Sequence, residues 1–305
     1  MGIKFRLIVM NFLQYAIWGS WLISLGAYLG GGLDFTGLQI GSFFATMGVA
    51  SLFMPAVMGI IADRWIPAQK LLGICHLVSG GFLIAAASQT AYGPLYSCML
   101  LSVMFYMPTI ALSNSVAYNA LDLARLDTVK HFPPIRVWGT VGFIAAMWFV
   151  DLTHIGGVQI KLTEWQLYVS AVLSFLLSVY SFSLPGCPVD RNVKARSWVD
   201  TLGLRAFTLF KEKRMAIFFV FSMLLGAALQ ITNAFGDSYI QSFGSMPQYA
   251  DSAIVKHSVI LLSLSQMSET LCILLIPFFL RRFGIKKVML ISCLLYTSDA
   301  ADEED

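Results

Sequence analysis

The sequence predicts an all-α membrane protein, and three observations support this prediction. Hydrophobic residues make up 57% of the 305 residues, whereas charged residues make up 12%, about half their share in ordinary soluble domains. The mean hydropathy is +0.73. The apolar residues fall in stretches of about 20 or more, the length that an α-helix needs to cross a bilayer. We therefore expect lipid to surround most of the chain.

Eight apolar stretches reach spanning length, with polar or Gly/Pro-rich breaks between them. The predicted spans cover residues 7–30, 38–62, 71–91, 95–120, 134–153, 165–185, 214–242 and 257–280. A ninth run starts at Val288 and ends after a few residues. The longest polar stretch, 186–213, is interpreted as a cytoplasmic linker. It would join a six-helix N-terminal bundle (1–185) to a partial C-terminal bundle (214–292).

The basic residues predict the orientation of the chain. With the N-terminus in the cytoplasm and alternating spans, seventeen of the 20 Lys and Arg residues fall on the cytoplasmic side. Lys161 and Lys256 fall outside, and Arg136 lies at the start of a span. This asymmetry follows the positive-inside rule. The net charge of +3 gives no reason to expect a nucleic-acid partner.

Two basic loops indicate an internal duplication. One contains Gly59, Asp63 and Arg64 between spans two and three, and the other, 281–287, follows span eight. Six spans separate them, as expected for a parallel repeat of a six-span unit. The first loop resembles the conformational loop motif of the major facilitator superfamily, although 65–67 replace the usual glycine-basic continuation. We expect the major facilitator fold, with about eight of twelve spans present.

The C-terminal residues 293–305 differ from the rest of the chain. Five of the 17 acidic residues lie in the last seven positions, directly after a span has begun. The segment resembles a translated sequencing adapter. We therefore expect a non-native tail and a natural protein that continues past residue 292.

Ionisable groups inside a bilayer are costly and usually face a cavity or a partner. Glu269 is the only acid predicted deep in a span, and Gln266 lies one turn earlier on the same helix face. Glu269 is our candidate for proton coupling, since desolvation allows a carboxyl to take up a proton. The alternative is a structural carboxyl whose partners are neighbouring helices.

Two further spans present polar stripes. Arg136, Thr140 and Phe143 follow one another at helical spacing in span five, although Arg136 alone could be an interfacial arginine. Span seven carries Gln230, Asn233 and Asp237 on one face. These three indicate a cavity lining, with interhelical hydrogen bonding as the alternative. Secondary lining candidates are Gln14, Asn114, Tyr118 and Asp237.

The polar side chains favour a neutral solute with mixed hydrogen-bonding edges. Amides offer donors and acceptors together, which suits nucleobases, ribose or sugars, and Phe143 could stack on a planar base. The four histidines lie scattered near loops and predicted span ends, and the five cysteines form no CxxC pair. We expect no metal site, no cofactor and no obligate protein partner.

Several segments closely resemble the bacterial nucleoside:proton symporter family. They are Phe12–Trp21, Phe132–Thr140, Lys213–Phe219, Leu229–Asn233 and Ser265–Thr270. The resemblance runs from residue 1 to about 292. It implies a twelve-span fold that imports nucleosides with protons across the cytoplasmic (inner) membrane. It also implies nucleoside contacts at Arg136, Thr140, Phe143, Gln230, Asn233, Gln266 and Glu269.

Two other functions remain open at this point. A sugar or oligosaccharide proton symporter of the same fold would use similar polar side chains. A membrane receptor or sensor without transport would need a signalling domain, and none is evident. A membrane enzyme is not expected, because no nucleophile and base stand together in the sequence.

Overall fold

The computed structural model describes residues 2–189, 210–249 and 252–301, except for some side chains, mainly after residue 268. Almost all of this chain is helical. The helices are α1 (Ile3–Gly19), α2 (Leu25–Ala27), α3 (Gly37–Arg64), α4 (Ala68–Ala87), α5 (Tyr92–Leu123), α6 (Thr128–Leu152), α7 (Trp165–Ser181), α8 (Lys213–Ser242), α9 (Ala253–Lys256) and α10 (Ser258–Ala301).

Short elements interrupt or connect these helices. A π-helical turn, Tyr28–Gly32, follows α2, and a 3-10 turn, Phe243–Ser245, follows α8. Between α6 and α7, strands β1 (His154–Ile155) and β2 (Val158–Gln159) form an antiparallel hairpin. Gly156 and Gly157 form its turn with φ values of 62° and 84°, the left-handed region that a two-residue hairpin loop requires. A second 3-10 turn, Ile160–Leu162, leads from the hairpin toward α7.

The predicted spans match the helices in order and position, and the prediction of an all-α membrane protein is confirmed. Five described stretches are long and apolar enough to cross a bilayer: Gly37–Arg64, Ala68–Ala87, Tyr92–Leu123, Lys130–Leu152 and Lys213–Ser245. Helix α7 is apolar but has only 17 residues, as does α1. The number of spans therefore stays a prediction.

Two predicted spans differ from the observed helices. The helix of the first span, 7–30, is interrupted between Gly19 and Leu25. Helix α6 begins at Thr128, so Pro133 and Pro134 lie inside it rather than at its start. Proline costs a helix one hydrogen bond and crowds the preceding turn, but neighbouring groups make it tolerable in membrane helices.

Glycines allow α1 and α6 to approach closely. A Cβ atom at Gly142 would collide with the backbone of Phe12, and one at Gly19 would collide with the backbone of Phe143. Small residues serve this purpose in membrane bundles, where packing rather than the hydrophobic effect holds helices together. In the same bundle, α4 packs on α5 and α7, and α3 packs on α5.

The start of the predicted linker lies against the N-terminal bundle. The backbone N–H of Cys187 donates to Gln69 Oε1 (2.9 Å), and Asn119 Nδ2 donates to the carbonyl of Gly186 (3.2 Å). Burial raises the pKa of the Cys187 thiol, so the thiol is protonated at neutral pH. Residues 190–209 of the linker lie outside the described part of the chain, and the predicted domain organisation stays a prediction.

The chain divides into two compact units, Met1–Ser263 and Leu264–Asp305. In the second unit, Gly284 leaves helical geometry (φ 73°, ψ 161°) and breaks α10 into two helices. This break falls in the predicted basic loop 281–287. Glycine adopts a positive φ of this size more readily than any other residue. The predicted tail, 293–305, is helical to Ala301, and its side chains lie outside the described residues.

Replacing Gly142 by alanine is expected to destabilise the protein, because the added Cβ would collide with Phe12. Overpacking of this kind costs about 1–3 kcal/mol. The thermal unfolding midpoint of detergent-solubilised protein measures the effect.

Gly81→Ala in α4 is the matched control for this substitution. A Cβ at Gly81 meets no atom within 4 Å, and alanine favours a helix by roughly 0.5–1 kcal/mol over glycine. We expect a lower midpoint for Gly142→Ala and an unchanged or higher one for Gly81→Ala. Equal midpoints for the two variants would contradict the close contact between α1 and α6.

Candidate functional site

A cavity of about 780 Å³ lies between the N-terminal bundle and α8. This volume is within the range of small-molecule sites, about 300–1,000 Å³. Helices α1, α3, α5 and α8 supply its walls. The lining residues are Trp18, Gly41, Phe44, Ala45, Met47, Gly48, Ser51, Met107, Gly226, Ala227, Gln230, Ile231, Ala234 and Phe235.

Two hydrogen-bond donors at this cavity are buried without a partner. They are the indole Nε1 of Trp18 and the amide Nε2 of Gln230, one from each side of the cavity. Buried polar groups nearly always form hydrogen bonds, so an unpartnered donor indicates a ligand or a water molecule. The cavity is otherwise mostly apolar, as is usual for sites that orient a ligand with a few polar groups.

The predicted stripe on α6 lies against the same part of α1. The ring of Phe143 packs edge-on against Trp18, with 6.4 Å between ring centroids. The guanidinium of Arg136 lies 3.8 Å from the centre of the Tyr15 ring, a cation–π contact. Seven residues of helix place Arg136 about 10 Å from Phe143 along the axis. Thr140 lies between them and is partly buried.

The structure brings some other predicted residues near this region. Asn233 lies one turn from Gln230 on α8 and is partly buried. The side-chain oxygen of Asn114 on α5 is buried without a hydrogen-bond partner. Tyr118, one turn further along α5, is 46% exposed and its ring packs on Phe132 (4.5 Å).

Gln14 lies inside the N-terminal bundle instead of at the cavity. It is fully buried, and its Nε2 donates to Thr109 Oγ1 (2.7 Å). His76 Nε2, also fully buried, lies 2.8 Å from Gln14 Oε1, and its Nδ1 lies 3.2 Å from Ser174 Oγ. With both ends of the amide bonded, Gln14 is placed to hold helices together. This placement favours a structural role over the predicted lining role.

Asp237 is fully buried at the far end of α8. It accepts hydrogen bonds from Gln241 Nε2 (2.9 Å) and from the Ser258 hydroxyl. The carboxylate is therefore bonded to residues of the predicted C-terminal bundle, and Asp237 does not line the cavity.

Gln266 and Glu269 belong to the second unit. Gln266 is partly buried, and its backbone carbonyl accepts a hydrogen bond from the Thr270 hydroxyl (2.9 Å). The backbone of Glu269 is helical, but its side chain lies outside the described residues. The roles predicted for both side chains stay predictions.

The conformational loop motif lies at the end of α3, which terminates at Arg64. Asp63 is exposed and Arg64 is partly buried. A Cβ at Gly59 would meet no atom within 4 Å, so close packing does not require glycine there in this conformation. Among the described residues, no three His, Cys, Asp or Glu side chains could hold a metal ion together.

The sequence did not identify most of the apolar cavity wall. Phe44, Met107 and Phe235 line the cavity but look like ordinary span residues in the sequence. Trp18 stands out only as a polar-tipped ring four residues after Gln14. That spacing puts both residues on one face of α1 but does not distinguish cavity from bundle interior.

Comparison with known proteins identifies the family. The nucleoside H+ symporter family matches residues 1–299, past residue 292 where the tail was predicted to begin. The chain belongs to the nucleoside H+ symporter family. The resemblance found in the sequence is thereby confirmed, and the fold is that of these transporters.

Individual members of the family are similar over nearly the whole chain. Xanthosine permease of Escherichia coli (strain K12) is 52% identical over 297 residues, which are 97% of this chain and 70% of that protein. Nucleoside permease NupG of the same organism is 48% identical over 292 residues, 96% of this chain and 69% of that protein. A crystal structure of nucleoside transporter NupG in a mutant form superposes with a TM-score of 0.88. At 48% identity, this match covers 96% of the chain and 72% of NupG.

Replacing Gln230 by leucine is expected to weaken nucleoside binding, because the cavity loses an unpartnered donor. One neutral hydrogen bond contributes about 1 kcal/mol, or roughly a five-fold change in Kd. Binding of a radiolabelled nucleoside to membranes measures the effect.

Thr232→Val is the matched control on the same helix. Thr232 is exposed, and its hydroxyl bonds back to the Ala228 carbonyl, so its loss should leave Kd unchanged. A similar loss of affinity in both variants would mean that substitutions on α8 weaken binding in general and that the Gln230 amide has no specific role.

Proposed function

We propose that the protein imports nucleosides together with protons across the bacterial cytoplasmic membrane by alternating access. The observation that carries this proposal is the cavity between the two halves of the chain, with unpartnered donors at Trp18 and Gln230. Membership of the nucleoside H+ symporter family supports the substrate pair. The relatives compared above are permeases and transporters, so we infer a carrier and not an enzyme.

The chemistry of the cavity suits a nucleoside. The indole N–H of Trp18 and the amide of Gln230 can bond base or ribose oxygens and ring nitrogens. The ring of Trp18, which lines the cavity and packs on Phe143, offers a surface against which a planar base can pack. The only ionisable residue among the α6 candidates is Arg136, whose guanidinium already stacks on Tyr15. These features favour a neutral, planar solute over an anionic one.

We infer the orientation of the chain from the positive-inside rule. The N-terminus and the start of α8 then lie in the cytoplasm, and the hairpin between α6 and α7 lies outside.

Proton coupling is assigned to Glu269. A carboxyl in a low-dielectric span favours its neutral form, so it can bind a proton on one side and release it on the other. The nucleoside contacts proposed on α6 and α8 are Arg136, Thr140, Phe143, Gln230 and Asn233, with Gln266 and Glu269 on α10. A sugar symporter is not favoured, because the family and the compared relatives concern nucleosides.

Glu269→Gln is expected to abolish most of the pH-driven accumulation of nucleosides, because glutamine cannot take up a proton. The measurement is radiolabelled nucleoside uptake by cells that express the protein, with and without a protonophore and with sugars as competitors. Glu212→Gln is the matched control, since Glu212 is exposed just before α8. Unchanged accumulation and pH dependence in Glu269→Gln would contradict the role, and competition by sugars alone would contradict the substrate.

The proposed orientation predicts which positions an impermeant thiol reagent reaches in intact cells. A cysteine at Val158, which is 46% exposed in the hairpin, should react from outside. A cysteine at Leu123, 64% exposed at the end of α5, should react only after the cells are permeabilised. The reverse pattern would place the N-terminus outside.

A further inference from the structure

The cluster of charges at the hairpin end of the protein has no role in the proposed nucleoside site. Asp151 and Lys161 are 0% and 1% exposed, and Asp237 is 0% exposed. Buried charges are costly unless they are paired and hydrogen-bonded. Their position at the junction of the two sequence halves, 1–185 and 214–292, calls for a functional explanation.

The N-terminal half contributes a preassembled ion pair. Lys161 Nζ lies 2.6 Å from Asp151 Oδ1, and both residues precede α7. Gln166 Nε2 fixes the turn by donating to the Lys161 carbonyl (3.0 Å), and Ser24 Oγ donates to Gln166 Oε1 (2.9 Å). Groups of the N-terminal half therefore fix the backbone of Lys161.

The C-terminal half binds this ion pair with hydrogen-bonding groups next to α10. Lys161 Nζ donates to the Lys256 carbonyl (2.8 Å) and to Ser258 Oγ (3.3 Å). His257 Nδ1 lies 2.7 Å from Asp151 Oδ2. Ser258 in turn donates to Asp237, so one hydroxyl links the cation of one half to the acid of the other.

Two further contacts close the same end. Gln159 Nε2 in the hairpin donates to the Asp151 carbonyl (3.0 Å) and to the Lys256 carbonyl (3.3 Å). Below the charges, a Cβ at Gly26 on α2 would collide with the backbone of Ala234 on α8. The two halves are therefore in direct contact at this end.

We propose that these groups form an outer latch, which holds the extracellular side of the transporter closed and must separate for a nucleoside to enter. The outer latch consists of Asp151, Gln159 and Lys161 from one half and the Lys256 carbonyl, His257, Ser258 and Asp237 from the other. This inference rests on the proposed function and orientation. Lys161 is a positioning residue: it touches the partner half and not the substrate.

Opening of the latch leaves the ion pair between Lys161 and Asp151 intact. Asp151 and Lys161 stay together in the N-terminal half, and Asp237 keeps Ser258 and Gln241 in its own half. Opening breaks the bonds from Lys161 and Gln159 to the opposite half and the bond between His257 and Asp151. A set of a few such bonds can be remade in every transport cycle.

The test measures how often the outer side opens. Ala234 is 2% exposed beneath the latch, so an Ala234→Cys variant without the native cysteines reports opening through its reaction with an impermeant maleimide in intact cells. Adding Lys161→Met should raise the labelling rate about ten-fold, an equilibrium change of ~1.4 kcal/mol. Lys161→Arg, which keeps the cation and its donors, should restore slow labelling.

Lys70→Met is the matched control, because the Lys70 side chain is exposed at the start of α4, on the side that the positive-inside rule assigns to the cytoplasm. If Lys161→Met does not reach the membrane, Gln159→Leu takes its place, with an expected increase of roughly two- to five-fold for one neutral hydrogen bond. Unchanged labelling in a variant that accumulates normally, or an equal increase in Lys70→Met, would overturn the latch. Nucleoside uptake by the protein with its native Ala234 and cysteines, measured separately, shows whether the proposed function fails instead.

Discussion

Polar groups that a chain carries into a bilayer must find partners within the protein, because lipid offers none. The structure meets this constraint in two ways. Inside the N-terminal bundle, Gln14 bonds to both His76 and Thr109 and joins three helices. At the cavity, Trp18 and Gln230 leave donors free. Polar groups that are hydrogen-bonded inside the bundle stabilise the fold, whereas the unpartnered donors at the cavity are available to a solute.

Much of the fold follows from the sequence because hydropathy is a local property. The helices α3 to α8 fall where apolar runs of spanning length predict them. The break of α10 at Gly284 falls in a loop marked by basic residues. The start of α6 could not be predicted in this way, because tolerance of Pro133 and Pro134 inside a helix depends on neighbouring helices.

The site was predictable only in part. Helical spacing places Arg136 and Phe143 on the same side of α6, and both contact α1. Spacing along one helix does not reveal which residue of another helix a side chain contacts. It therefore could not show that Gln14 bonds to Thr109 and His76 inside the bundle. Lys161 and Asp151 look like ordinary loop and span-end residues in the sequence. Only the turn of the hairpin brings their side chains to 2.6 Å, a long-range contact that no local pattern contains.

The close approach of α6 to α1 has a consequence for substrate choice. Because Gly19 and Gly142 bring the two backbones into contact, the rings of Phe143 and Trp18 pack against each other and leave little room for a larger residue. Helix α8 supplies the opposite side of the cavity. Adaptation toward a different base or sugar within this architecture should therefore accumulate on α8, with the aromatic pair left as a constant template.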